Sequence, residues 1–323
     1  MDKVKVGGQA VIEGVMMRSQ KALIVAVRKA DGTIKVKEEI VSTLADRFPI
    51  LKKPFFRGVV VLIESMIYGI GALTYSANEA VEEEDEKNES GGEISAWMTA
   101  LTVAFSLGFA ILLFVIIPHF ATLYIGENLP VEMGIDSFLF HFVDGILKVS
   151  VFLLYIVSIS FLPDIRRVFM YHGAEHKSIF TYEADEELSV DNARKHSTFH
   201  PRCGTSFIII VLLISIVIFA VLLPLLPSFL ESQKILRHFV FILIKIPLLI
   251  PISGISYEII RLAGDKRDNI ILKIISLPGV WIQKITTREP TDDQVEVALL
   301  ALSKTVKMEL STGLELSNKE KAV

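Results

Sequence analysis

The sequence predicts a mainly α-helical, polytopic membrane protein with about four transmembrane helices, a re-entrant or interfacial helix and a small N-terminal β element. Three observations predict it. Apolar residues make up 51% of the 323 positions, and they gather into uninterrupted runs where a soluble chain would spread them at amphipathic spacing. The loops between the runs differ sharply in Lys and Arg. Ahead of the runs, two short segments alternate apolar and polar around a turn signal.

Residues 1–54 form the expected cytosolic β-containing region. Positions 21–29 and 33–39 alternate around Asp31-Gly32, a hairpin signature. The opening Met1-Asp2-Lys3-Val4-Lys5 has no apolar signal region, so no cleavable targeting peptide is expected. Residues 55–78 are apolar but broken by Glu64, with Gly69 and Gly71. If this stretch crossed the bilayer, the basic N-terminal region or every later loop would change sides, so a re-entrant or interfacial helix is expected. Residues 79–94 hold eight acids against Lys87 and end in Ser90-Gly91-Gly92, the composition of a solvated, disordered linker.

Four runs are long enough to cross about 30 Å of hydrocarbon at about 1.5 Å per residue. They are 95–118 and 138–162, within a first pair of helices at 95–163, and 206–226 and 239–260, within a second pair at 206–260. The second run contains Asp144 and Lys148, and the fourth contains Lys245, Pro247 and Pro251. Between the pairs lies a cytosolic segment, 164–205, and beyond them a cytosolic C-terminal helical region, 261–323. Within the latter, 291–306 reads as a capped amphipathic helix, with Thr291 before Asp292 and Asp293. The loop 119–137 has no Lys or Arg, whereas 164–205 has Arg166, Arg167, Lys177, Arg194, Lys195 and Arg202. The positive-inside rule therefore places both termini and the 164–205 segment in the cytoplasm.

A net charge of −4 with no basic stripe excludes a nucleic-acid partner. A single cysteine excludes an intrachain disulfide framework and suits a reducing compartment. The partner that composition implies is the lipid bilayer; oligomeric state is not written in the sequence.

Four of the seven histidines and the only cysteine fall between His172 and Cys203. His172-Gly173-Ala174-Glu175-His176 is an H-x-x-E-H pattern, followed by His196, His200 and Cys203. Two imidazoles four positions apart share one helix face and can reach one ion, while a Glu beside them can hold a water on that ion. This ligand chemistry points to zinc or another divalent metal. Interfacial histidines satisfied by backbone and head groups are the bland alternative.

Two metal geometries compete. In an open site, His172 and His176 are joined by one of His200, Cys203, His196 or Glu258, water takes the fourth position, and Glu175 is the general base. In a closed site, His172, His176, His200 and Cys203 form a four-ligand staple, and Glu175 has no assigned task. Asp144 and Lys148, at i and i+4, pair inside the bundle; Lys245 and Glu64 pair likewise or line a polar path. Residues 7–18 lack the Gly-Lys-Ser/Thr ending of a phosphate loop, and Gln9, Glu13 and Arg18 are expected to dock against the cytosolic site.

Taken together, Gly-Gly-Gln-Ala-Val-Ile-Glu-Gly-Val-Met-Met-Arg (7–18), Tyr-His-Gly-Ala-Glu-His-Lys (171–177), His-Pro-Arg-Cys-Gly-Thr-Ser-Phe (200–207) and Thr-Thr-Arg-Glu-Pro (286–290) resemble the bacterial YqhQ-like family. The resemblance covers nearly the whole chain. It implies a multi-pass protein of the bacterial cell membrane and a metal-dependent enzyme of unassigned substrate. H-x-x-E-H is shared with inverted-motif zinc peptidases, a likeness of motif alone. The expected function is a zinc-dependent membrane hydrolase at the cytoplasmic face, acting on a peptide or lipid-linked substrate. The alternatives are a non-catalytic scaffold or assembly factor with a structural metal, and a transporter resting on Asp144, Lys148 and Lys245.

Overall fold

The computed structural model describes residues 3–85, 96–128, 133–226, 233–265 and 269–321. It is mainly helical, with one antiparallel sheet at the N-terminus. The sheet is a meander, β1 (Gly7–Val11), β2 (Gly14–Arg18), β3 (Ala22–Arg28) and β4 (Ile34–Ile40), in that order. The β3–β4 hairpin closes at Arg28↔Ile34, where Gly32 takes a φ of 86° and Asp31 Oδ1 accepts from Thr33 N–H at 2.7 Å.

Both faces of the sheet are covered. Val15, Met17, Ile24 and Ala26 point into one core, while Met16, Leu23, Val25 and Val27 point into the other. Each fully buried aliphatic side chain contributes about 1.5–3 kcal/mol. The first core is completed by Val295, Val297, Ala298, Leu299, Ala301 and Leu302 of α11 (Asp292–Lys321) and by α6 (Pro163–Glu183). At the start of α11, Gln294 Oε1 accepts from Thr291 N–H at 3.0 Å, one half of a capping box.

The second core is closed by α2 (Phe56–Asp85), which follows α1 (Leu44–Arg47) and a short 3₁₀ turn at Pro49–Lys52. Of the two expectations for residues 55–78, the re-entrant one needs correction, because α2 is one unbroken 30-residue helix and does not turn back. Arg18 of β2 donates to Glu64 at 2.5 Å, and Lys35 of β4 reaches Glu79 at 2.8 Å. Fifteen residues of helix, about 22 Å, are thus strapped along the sheet. The expected pairing of Glu64 with Lys245 does not form. The predicted linker at 79–94 is helical as far as Asp85, and its remainder lies outside the described residues.

Among the described residues, five helical segments are long and apolar enough to cross a membrane: Phe56–Ala80, Ala100–Asn128, Phe138–Ile159, Gly204–Leu225 and Leu236–Ala263. The second runs from α3 (Ala96–Ile111) through a π-helical turn, Leu112–Ile116, into α4 (Ile117–Asn128). It therefore does not stop at Pro118 as expected; the wider π turn accommodates the proline's missing N–H. The helices α5 (Phe138–Ile159), α8 (Gly204–Leu222) and α9 (Lys234–Asp265) pack around Phe140, Phe219, Leu223, Phe241 and Ile252. α9 stays helical through Pro247 and Pro251. The short α7 (Val190–Arg194) sits in the connection between α6 and α8, and α10 (Ile270–Thr286) lies against α8.

Candidate metal centre

Three ligand atoms converge where α6, the start of α8 and the end of α10 meet. Pro163 opens α6 at a position where its missing N–H costs nothing, and the helix carries His172 and His176 on one face. Their ring centroids are 4.5 Å apart. Cys203 caps α8, its Sγ 3.1 Å from His172 Nε2 and 3.0 Å from Thr205 Oγ1. One atom each from His172, His176 and Cys203 all lie within 4.8 Å of one another. Tetrahedral zinc ligands at about 2.0–2.3 Å from the ion stand roughly 3.3–3.8 Å apart, so the His172–Cys203 pair, at 3.1 Å, would open slightly around an ion.

Both imidazoles are oriented through their other nitrogen. His172 Nδ1–H donates to the Thr286 carbonyl at 2.8 Å, and His176 Nδ1–H donates to the Thr198 carbonyl. A carbonyl only accepts, so each neutral ring must carry its proton on Nδ1 and turn the Nε2 lone pair toward Cys203. His176 Nε2 is buried and has no hydrogen-bond partner among the described residues. An orphaned imidazole nitrogen facing a thiol is the donor set that a zinc-class ion fits.

Gly173 makes the first of these contacts possible. A Cβ there would stand 2.1 Å from the Arg288 carbonyl oxygen, so only glycine lets residues 286–288 lie on α6. The Arg288 N–H then donates to the Phe169 carbonyl at 2.9 Å, fixing that approach. Gly8 of β1 serves the same purpose for Glu175, whose carboxyl carbon would be 2.9 Å from an added Cβ. The Gly8 N–H donates to the Glu175 carboxylate. Burial pushes the Glu175 carboxyl up to about 7, against the opposing pull of His172 and the Gly8 bond. Burial likewise lowers the His176 imidazole from its ordinary value.

The remaining sequence candidates stand elsewhere. His196 Nε2 is 3.0 Å from Glu186, with its ring stacked on Phe180, and it does not join the three-ligand group. The His200 ring lies 5.6 Å from that of His176, tilted by 40°, but its Nδ1 accepts from the Arg202 N–H at 3.2 Å. Its neutral ring is therefore protonated at Nε2, which lies 3.7 Å from Glu183. Glu258 accepts from Arg57 at 2.7 Å and from the Phe55 N–H at 3.1 Å, at the junction of α2 and α9. Glu13 binds Arg167 of α6, while Arg18 binds Glu64.

Sequence reasoning did not single out the carbonyls of Thr198 and Thr286, nor Gln283. Gln283 is fully buried and uses both ends of its amide. Its Oε1 accepts from His200 N–H at 2.7 Å, and its Nε2 donates to the His200 carbonyl at 2.8 Å and to Ser206 Oγ at 2.9 Å. The string 286–290 carried a signal for Thr286; a backbone carbonyl at 198 and a lone Gln in an amphipathic helix carry none.

The fold and this cluster define a class: a helical protein with five apolar helices among the described residues, a small β-meander and a His/His/Cys group where the two parts meet. The chain belongs to the family described as "Protein of unknown function (DUF1385)", whose model matches residues 53–308. It is 32% identical to the "Uncharacterized protein YqhQ" of Bacillus subtilis (strain 168) over 316 residues, 94% of this chain and 92% of that one. No solved structure matches.

Proposed function

We propose that this protein is a zinc-dependent membrane hydrolase working at the cytoplasmic face of the bacterial membrane, with His172, His176 and Cys203 as ligands and Glu175 as general base. The observation that carries the reading is the pair of carbonyl-fixed tautomers, which leaves two Nε2 lone pairs beside one sulfur. Membrane insertion is supported by apolar side chains left exposed along α3, α5, α8 and α9, among them Phe105, Leu154, Val217 and Leu243. The Lys- and Arg-rich 164–205 segment supports the cytoplasmic side.

A zinc-class ion held by His172, His176 and Cys203 would supply Lewis acidity and activate a water for attack. The chain's own residues do the rest. Thr286 and Thr198 hold the two rings in register, Cys203 contributes negative charge, and Glu175 accepts the proton of the attacking water and returns it to the leaving group. Glu175 is buried next to His176 in the chain and meets the Gly8 N–H, so its carboxylate is held in place beside the two rings. α8 enters the apolar bundle immediately after Cys203, which suits a peptide or lipid-linked substrate presented at the membrane edge.

The scaffold reading has one observation in its favour, the closeness of His200 to His176. The Arg202 N–H on His200 Nδ1 argues against a fourth protein ligand. Glu175→Gln decides between them. It preserves an acceptor for the Gly8 N–H, so metal content and thermal stability should hold, while complementation of a deletion strain should fall by roughly 10²-fold or more. Wild-type complementation by Glu175→Gln would sink the hydrolase reading and leave the scaffold.

A further inference from the structure

A second set of ionisable side chains lies inside the helix bundle, on residues that the metal centre does not use. Asp144 and Lys148 of α5 and Lys245 of α9 are all buried. Asp144 Oδ2 accepts from Lys148 Nζ at 2.6 Å and from Lys245 Nζ at 2.5 Å. Its Oδ1 is buried without a hydrogen-bond partner among the described residues. One carboxylate balances one ammonium, so the fully charged triad carries one positive charge too many. Its surroundings are hydrocarbon and the Phe219 ring, which both ammoniums face. An unbalanced charge there is strongly disfavoured. Release of a single proton balances the triad.

Three histidines lead from the triad toward Asp136, just ahead of α5. His141, one turn before Asp144, is 1% exposed and stacks 6.0 Å from Phe241; its ring is near the Ile135 backbone, but neither nitrogen makes a well-formed hydrogen bond among the described residues. His119 of α4 is fully buried, with Nε2 3.0 Å from His238 Nδ1 of α9 and Nδ1 unpartnered among the described residues. Next to His238, Arg237 binds Asp136, whose side chain is 42% exposed. α8, packed against α5 and α9, has no titratable side chain along its length. Unfilled ring nitrogens in an apolar interior are costly, and a line of them beside a charge-unbalanced triad is what a proton path provides.

We propose that Asp144, Lys148 and Lys245 form an intramembrane proton-binding site, loaded and unloaded from the Asp136 end through His238, His119 and His141. A lysine ammonium gives its proton to an imidazole lone pair, becoming a neutral amine as the ring becomes a cation. His119 and His238 are in direct hydrogen-bond contact, whereas transfer between the lysines, His141 and His119 requires a side-chain rotation or a bridging water. The resulting activity is reversible, electrogenic proton uptake part-way across the membrane. It rests on the membrane reading of the helices and is independent of the metal centre.

The test is charge displacement on a solid-supported membrane loaded with liposomes of the full chain. A pH jump should evoke a transient current larger than that of protein-free liposomes. Lys148→Met and Lys245→Met each leave a balanced Asp–Lys pair and should reduce the transient to the protein-free level. Either one suffices if it elutes like wild type in size-exclusion chromatography. His141→Phe leaves the triad intact and should preserve the displaced charge while slowing its decay several-fold. The His172→Ala, His176→Ala double variant should behave as wild type, which separates this proposal from the hydrolase reading. A wild-type transient no larger than that of protein-free liposomes would overturn the proposal. So would a full-sized transient in the folded lysine variants, or an unchanged decay in His141→Phe.

Discussion

Gly173→Ala is the most diagnostic substitution because helix propensity and tertiary geometry predict opposite signs. Within a helix, Ala is better than Gly by about 1 kcal/mol. Here the new Cβ would be 2.1 Å from the Arg288 carbonyl oxygen, whereas real Cβ contacts essentially never fall below 3.0 Å. Residues 286–288 must therefore move away by roughly 1 Å, at an overpacking cost of about 1–3 kcal/mol. That movement strains two hydrogen bonds, Arg288 N–H to the Phe169 carbonyl and His172 Nδ1–H to the Thr286 carbonyl. Each contributes about 0.5–1.5 kcal/mol. With the propensity gain set against these losses, the net destabilisation is about 3 kcal/mol, or a melting midpoint lower by roughly 5–10 °C. The assay is thermal unfolding of the purified full chain, with zinc content measured on the same sample. Metal should be lost along with stability, since the carbonyl that fixes the His172 tautomer has moved. A variant that melts at or above the wild-type midpoint with full zinc would refute the packing of 286–288 on α6 as the organiser of the site.

Three further outcomes follow from the same geometry. Elemental analysis should find about one zinc per chain; His176→Ala should lose it and His196→Ala should keep it, and the reverse order would redraw the ligand set. In an otherwise Cys203→Ser chain, an impermeant thiol reagent on intact cells should label Glu127→Cys and leave Glu187→Cys unlabelled, and labelling at 187 would invert the proposed orientation. Ile63, Met66, Ile67 and Ile70 form an exposed apolar stripe on α2, opposite its sheet-facing side. In vesicles, Met66→Trp should therefore be quenched most by lipids brominated near the head group, after subtraction of Trp97 and Trp281. Maximal quenching by deeply brominated lipids would mean that α2 crosses the bilayer.

Local patterns made part of this fold legible. The β3–β4 hairpin announced itself through Asp31-Gly32, and α11 through Thr291 and the acids that follow. β1 and β2 did not, because β2 is buried on both faces and loses its alternation, and residues 7–18 are rich in glycine. Glu64 interrupts the apolar run of α2, and nothing local reveals that this carboxylate is matched by Arg18, 46 residues earlier. In the same way Lys245 was offered to Glu64, although it lies at Asp144. Such pairings belong to the tertiary structure and leave no periodic trace in the chain.

The metal centre shows the same division more sharply. Helical spacing alone brings His172 and His176 to one face, and the proximity of Cys203 follows from α8 beginning where α6 has been revisited. In sequence terms His196 and His200 were equally good ligands. What separates them is the hydrogen bond at the other ring nitrogen. A carbonyl at Nδ1 forces the proton onto that atom and frees Nε2, as at His172 and His176. A backbone N–H at Nδ1, as Arg202 supplies to His200, does the opposite. His200 is thus separated from His172 and His176 by a neighbour that donates, whereas His196 is separated by position, its Nε2 lying at Glu186. The two accepting neighbours come from the loop before α8 and from the end of α10. The ligand set is therefore a property of how those segments pack on α6, and Gly173 is the residue that permits the approach of 286–288.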